Sequence, residues 1–156
     1  MIKKVIKIIL VLMCIITIFT FSNDSSYEST KKSNKLIITF AEMFNRKELS
    51  KKDKVRYIEK FVVVVRKGAH LSIYLILGLL VTSLLKEYNI VDKRMIIYSV
   101  LFCLLYACSD EIHQLFVLGR SGEILDVLID TIGSFIGTFL YYLIGRRKNE
   151  QEKAIR

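Results

Sequence analysis

Lys67, His70, Tyr74 and Gly78 follow one another at intervals of three, four and four residues, so on a helix they share one stripe. Asp110, His113 and Gln114 stand at i, i+3 and i+4 with Glu111 beside them, and Asp126, Asp130, Gly133 and Gly137 repeat every three to four residues. Arg120 lies between the last two groups, in Gly119-Arg120-Ser121-Gly122. Gathered in one place, these residue types suit an anion site, in which Arg120 supplies a bidentate grip and Lys67 a point charge. They also suit proton transfer, with Glu111 or His113 as general base and His70 as its partner. The ligand-binding set is therefore Lys67, His70, Tyr74, Asp110, Glu111, His113, Gln114, Arg120, Asp126 and Asp130, and the acid–base candidates within it are Glu111, His113 and His70. His70, His113 and carboxylates could also ligate a metal, but no H-E-x-x-H or comparable spacing is present, so neither a metal nor a cofactor is expected.

The elements that position these residues are apolar runs. The chain has 156 residues, 53% of them hydrophobic, with a mean hydropathy of +0.41, no Pro and no Trp. Its apolar residues are blocked into four stretches, Ile8–Phe21, Ala69–Leu85, Met95–Cys108 and Ile124–Ile144, which excludes a single soluble core, a disordered tail and a disulfide-stapled domain. The expected fold is all-α: a membrane protein built as a bundle of four transmembrane helices. The third run is shorter than the roughly 20 residues a span needs, so its helix must continue through flanking polar residues, drawing those after Cys108 toward the membrane. Cys14, Cys103 and Cys108 all lie in apolar runs and read as free buried thiols. No A-x-A-like site follows the first run, which reads as a retained anchor.

The net charge of +9 is not a nucleic-acid signature, because most positive charges flank the apolar runs. Lys3, Lys4 and Lys7 precede the first run, Lys86, Lys93 and Arg94 separate the second from the third, and Arg146, Arg147, Lys148, Lys153 and Arg156 follow the fourth. The positive-inside rule then puts both termini in the cytoplasm and every polar stripe near the outer face. Against this, the segment from Ser22 to Lys60 lies outside while carrying ten Lys or Arg and six Asp or Glu; its length weakens the rule there. Within it, Leu36, Ile37, Phe40, Met43 and Phe44 fall at helical spacing and predict an amphipathic helix on the outer leaflet or over the bundle. Val55, Ile58, Val62 and Val65 lead straight into the second span.

Three sets of residues together resemble the VanZ-like family of small bacterial membrane proteins. They are Arg66-Lys67-x-x-His70-x-x-x-Tyr74-x-x-x-Gly78, Asp110-Glu111-x-His113-Gln114-x-Phe116-x-x-Gly119-Arg120, and Asp126-x-x-x-Asp130-x-x-Gly133-x-x-x-Gly137. Phe21-Ser22 and the Ser-rich stretch after it resemble the family's start. Leu118 stands where the family often has Pro, and Asp24 near where many members carry Gln. The resemblance implies a cell-envelope role and, through the member that names the family, a link to antibiotic resistance of the teicoplanin type; it implies no established reaction.

On this reading the domains are a first transmembrane helix at 1–21, an extracytoplasmic segment with the amphipathic helix at 22–60, a VanZ-like three-helix core at 61–145 and a cytoplasmic basic tail at 146–156. The partners are the lipid bilayer and a lipid-linked or peptidoglycan-related envelope molecule, with no nucleic acid. Three functions compete: a binding module with an outward-facing polar recess, an enzyme acting on a lipid-linked precursor, and a scaffold whose ion pairs only fix helix register. For single residues such as Asp126 near a helix N-terminus the scaffold suffices. The convergence of many favours a site.

Overall fold

A computed structural model of the chain describes residues 1–154, with side chains described as far as Arg146. The side chains of Arg147, Lys148 and Lys153 and the whole of Arg156, all assigned to the basic tail, lie outside the described residues. Five helices follow in order: α1 (Ile2–Ser22), α2 (Ser26–Asn45), α3 (Lys51–Glu87), α4 (Asp92–Gln114) and α5 (Ile124–Ala154). Among the described residues there is no strand. Four of the helices, all but α2, are long and apolar enough to cross a membrane. Their exposed faces are lined by residues such as Ile9, Met13, Ile76, Leu105 and Phe135, apolar groups that only a lipid surround leaves without cost.

Local sequence explains the helix ends. Ser25 and Ser50 accept hydrogen bonds from the backbone N–H groups of Glu28 and Asp53, capping α2 and α3. Arg46 turns left-handed, with φ of 52°, and ends α2. At 23 residues, α4 does extend through polar residues at both ends of its apolar run. The longest element is α3: its 37 residues reach about 55 Å, nearly twice the hydrocarbon thickness of about 30 Å. Its first turns, with Lys51, Lys52, Lys54, Arg56, Glu59 and Lys60, therefore project beyond the hydrocarbon, and the helix runs unbroken through the 60/61 boundary drawn from sequence.

The segment α2 packs back on that projecting half of α3. Ile37 and Ala41 are buried, whereas Leu36, Phe40, Met43 and Phe44 of the predicted apolar face stay exposed. Lys54 bridges to Glu42 at 2.9 Å, and Leu49 N–H donates to the same carboxylate at 3.2 Å. The Lys54 bond, then the Leu49 bond, hold the Glu42 carboxyl below its ordinary pKa.

The centre of the bundle is the α3–α5 crossing, built on glycines. Gly133 and Gly137 lie against the backbone of Leu71 and Leu75, and Gly78 lies against the backbone of Ser134, so at each point one helix has no side chain to hold the other away. Val11, Cys14 and Ile18 of α1 join Leu77, Val81, Cys103 and Ala107 in the apolar core. Cys14 and Cys103 are buried, Cys108 is half-buried, and all three are free thiols. At one end of the bundle Lys7 donates to Glu87 at 2.6 Å and to Ser83 O at 3.0 Å, joining α1 to α3.

A hydroxyl cluster that the apolar runs had concealed lies deeper. Thr82 Oγ1 is within hydrogen-bond distance of Ser99 Oγ (2.9 Å) and Thr138 Oγ1 (3.1 Å), linking α3, α4 and α5, and all three residues are fully buried. Interhelical hydrogen bonds of this kind average about 0.6 kcal/mol in a membrane protein. Thr82→Val, which keeps the shape and removes the hydroxyl, is expected to cost about 1 kcal/mol, read as a lower thermal midpoint in detergent; an unchanged midpoint means the cluster holds nothing.

Candidate functional site

The polar stripes converge at the other end of the bundle, where α1 and α4 finish and α5 begins. Asp110 and Glu111 on α4 are buried because α4 continues past its apolar run, and Gln114 one turn on is buried with them. Asp110 accepts hydrogen bonds from Ser22 of α1 at 2.7 Å and from Gln114 at 3.3 Å. Glu111 Oε1 accepts from Gln114 at 3.1 Å, and its Oε2 accepts from the backbone N–H of Glu123 at 2.9 Å. This last bond is possible because residue 122 is glycine: a Cβ there would stand 2.7 Å from Glu111 O.

Lys67 pairs with Asp126 and with Glu123, the latter at 3.0 Å, tying α3 to the first turn of α5. Arg120 meets no carboxylate among the described residues. Its Nε donates to Asp24 O at 2.9 Å, one terminal nitrogen to Phe21 O at 3.0 Å and the other to Gln114 Oε1 at 3.1 Å. The cost of unpaired charge near the membrane predicts Arg120 opposite some of Asp110, Glu111, Asp126 and Asp130; instead it closes the C-terminal end of α1, where the last helix carbonyls lack intrahelical partners. Gly119, with φ of 73°, shapes the loop that delivers it, and Ser26 N–H bonds to Leu118 O at 3.2 Å beside it.

His70 faces Asp130, with Nδ1 3.4 Å from Oδ1, and Glu111 completes a three-residue group whose ligand atoms all lie within 4.8 Å of one another. Tyr74, one turn further along α3, is fully buried and its hydroxyl has no hydrogen-bond partner among the described residues. His113 leaves this group. Its ring lies tilted against Phe19 of α1, centroids 4.8 Å apart, so of the two candidate bases weighed as partners of His70, Glu111 is the one brought beside it and His113 is not.

Beside His70 a cavity of about 280 Å³ opens between α1, α2 and α3. Lys32, Arg66, His70 and Arg120 line it, and Asp24, bound to Lys32 at 2.5 Å, is its single carboxylate. Ile18, Phe21, Leu36 and Ile73 supply apolar wall. Lys67 is not among the lining residues. Arg66 makes no hydrogen bond or ion pair among the described residues. Burial, and after it the neighbouring Arg66, press the Arg120 guanidinium below its ordinary pKa. A larger groove of about 830 Å³ between α2 and the projecting half of α3 contains none of the polar-stripe residues.

The family model for VanZ/LLP1 matches residues 6–145, which takes in α3 and α4 whole, most of α1 and α5, and every residue of this site. The chain belongs to the VanZ/LLP1 family. It is a multi-pass membrane protein of that family, in agreement with the resemblance carried by the three motif sets. No curated protein and no solved structure matches the chain.

Three contributors to the VanZ/LLP1 site escaped assignment from sequence. Arg66 stands four residues before His70 and so on the same helix face, a signal that was present but overshadowed by Lys67. Lys32 and Ser22 enter through α2 and the end of α1, and no spacing relates them to the stripes.

Proposed function

We propose that the cavity binds the anionic headgroup of a cell-envelope lipid, a lipid-linked phosphate or a peptidoglycan-stem carboxylate. What supports this most is the unpaired Arg66 beside Arg120 in a cavity with cationic and apolar walls. Two adjacent guanidinium groups repel, and an anion between them relieves that repulsion while gaining charge-assisted hydrogen bonds. The apolar wall suits a chain attached to the anion. On this reading the site faces outward, both termini are cytoplasmic in a bacterial membrane, and the protein acts in envelope homeostasis or teicoplanin-type tolerance by engaging an envelope component.

The test is native mass spectrometry of the purified protein with a short polyprenyl phosphate, the matching uncharged alcohol and a stem pentapeptide. The phosphate should bind and the alcohol should not. Arg66→Ala should weaken phosphate binding about tenfold, the equivalent of one charge-assisted contact of about 1.4 kcal/mol, without loss of stability, since Arg66 holds no other group. In cells the same variant should lose any teicoplanin tolerance that the wild type confers. Binding of the pentapeptide instead would assign the site to carboxylates. Equal binding of phosphate and alcohol, or an indifferent Arg66→Ala, would end the reading.

A further inference from the structure

His70, Glu111 and Asp130 come from three different helices, and their ligand atoms lie within 4.8 Å of one another at the polar end of the bundle. Asp130 is 0% exposed, and neither of its oxygens accepts a hydrogen bond among the described residues. His70 Nδ1 and the Tyr74 hydroxyl, one turn apart on α3, are buried and equally without a hydrogen bond. Native proteins very seldom leave buried polar atoms unmatched, and an uncompensated buried carboxylate costs several kcal/mol.

Lys67 and Arg120 do not compensate it; among the described residues only His70 faces it, with Nδ1 3.4 Å from Oδ1, an ion pair when the imidazole is protonated. Lys67 is committed to Glu123 and Asp126, and Arg120 to Gln114 and to carbonyls of Phe21 and Asp24. Asp110 adds a third buried acid close by, bonded to Ser22 and Gln114. With its carboxylates ionised, the cluster of Asp110, Glu111 and Asp130 would carry excess negative charge even with an imidazolium at His70.

We propose that His70, Glu111 and Asp130 form a binding site for one divalent transition-metal ion. One imidazole nitrogen and two carboxylate oxygens suit Zn²⁺, Mn²⁺ or Fe²⁺, and three protein ligands leave at least one position open. Bond lengths of about 2.0–2.2 Å require the three groups to close in by about an ångström, within the reach of small side-chain rotations. Supporting bonds are in place: Gln114 and the Glu123 N–H hold Glu111 from behind. The spacing rule that argued against a metal concerns ligands on a single helix; here each helix brings one. His70 also lines the cavity, so the ion sits at the cavity's edge. The site does not depend on the anionic-headgroup reading, and its test contains no lipid ligand.

Full-length protein in detergent, stripped with a chelator and re-supplied with Zn²⁺ or Mn²⁺, is desalted and its metal content measured alongside its thermal midpoint. One ion per chain is expected, with a midpoint raised by the metal. Asp130→Asn and Glu111→Gln should each retain below about a tenth of the wild-type content, and Glu87→Gln, at the opposite end, should retain all of it. Mn²⁺ electron paramagnetic resonance should show a bound spectrum in the wild type that Asp130→Asn lacks. Should Asp130→Asn fold poorly, His70→Gln serves in its place. Wild-type protein that holds no metal, or variants that hold as much as the wild type, would overturn the site; an Asp130→Asn protein more stable than wild type and indifferent to metal would identify a simple buried acid.

Discussion

Gly137→Ala is expected to destabilise the bundle by roughly 2–3 kcal/mol, the upper range for overpacking a close-packed interior. The added Cβ would meet the backbone of Leu75 and come within 3.1 Å of Leu79 N. Backbone cannot rotate away as a side chain can, so α3 and α5 must separate, and the Gly133 and Gly78 contacts loosen with them. The gain in helix propensity from Gly to Ala, about 1 kcal/mol, is too small to offset this. Gly68→Ala supplies the control, because nothing lies within 4 Å of a Cβ at that position. That variant should be neutral or slightly more stable. Thermal midpoints in detergent, with membrane accumulation in cells, measure both; equal midpoints for the two variants would show that the α3–α5 crossing is not closely packed.

Arg120→Ala is expected to detach the end of α1 at a cost of about 2–4 kcal/mol. Three acceptors lose the Arg120 donor together: Asp24 O, the buried Gln114 Oε1 and Phe21 O, which keeps only a long 3.4 Å bond from Asp24 N–H. Gln114 in turn bonds to Ser22, Asp110 and Glu111, so the loss reaches the centre of the site. Cys14 is the built-in reporter, since it is buried with its Sγ 4.0 Å from Ile73 O across the α1–α3 contact. Its labelling by a maleimide, followed by mass spectrometry at that position, should accelerate at least tenfold, a factor that corresponds to about 1.4 kcal/mol of easier opening. Arg120→Lys should restore only part of the protection, because an ammonium lacks the planar fork that reaches acceptors on separate elements. Unchanged Cys14 protection in Arg120→Ala would mean that α1 is held by its apolar face alone.

The two predictions mark where sequence was informative and where it fell short. Four spans, the extension of α4 through Asp110 to Gln114, and the role of Gly78, Gly133 and Gly137 as close-approach points all follow from run length and from three-to-four-residue spacing. The convergence of Lys67, His70, Asp110, Glu111, Asp126 and Asp130 at one end follows from alternating span direction. Spacing misplaced His113, and the expected charge pairing misplaced Arg120. Three residues along a helix turn a side chain some 60° away from the starting face, enough to take His113 from the Asp110 side into the groove occupied by Phe19. Arg120 sits in a loop, where no period applies, and its partners are backbone carbonyls, which carry no sequence signature at all.

Membership of the VanZ/LLP1 family, the helical spans and the residue types available to the site were therefore written in the linear chain, because hydrophobic run length and helical period are local properties. Which cation meets which anion was decided only by packing. The rotation of each helix about its axis depends on contacts with its neighbours, so Lys67 went to Asp126, Arg66 was left open in the cavity, and Asp130 came to rest beside His70 and Glu111 with its oxygens unmatched. A buried carboxylate that accepts no hydrogen bond can be recognised only once every potential donor has been placed in space.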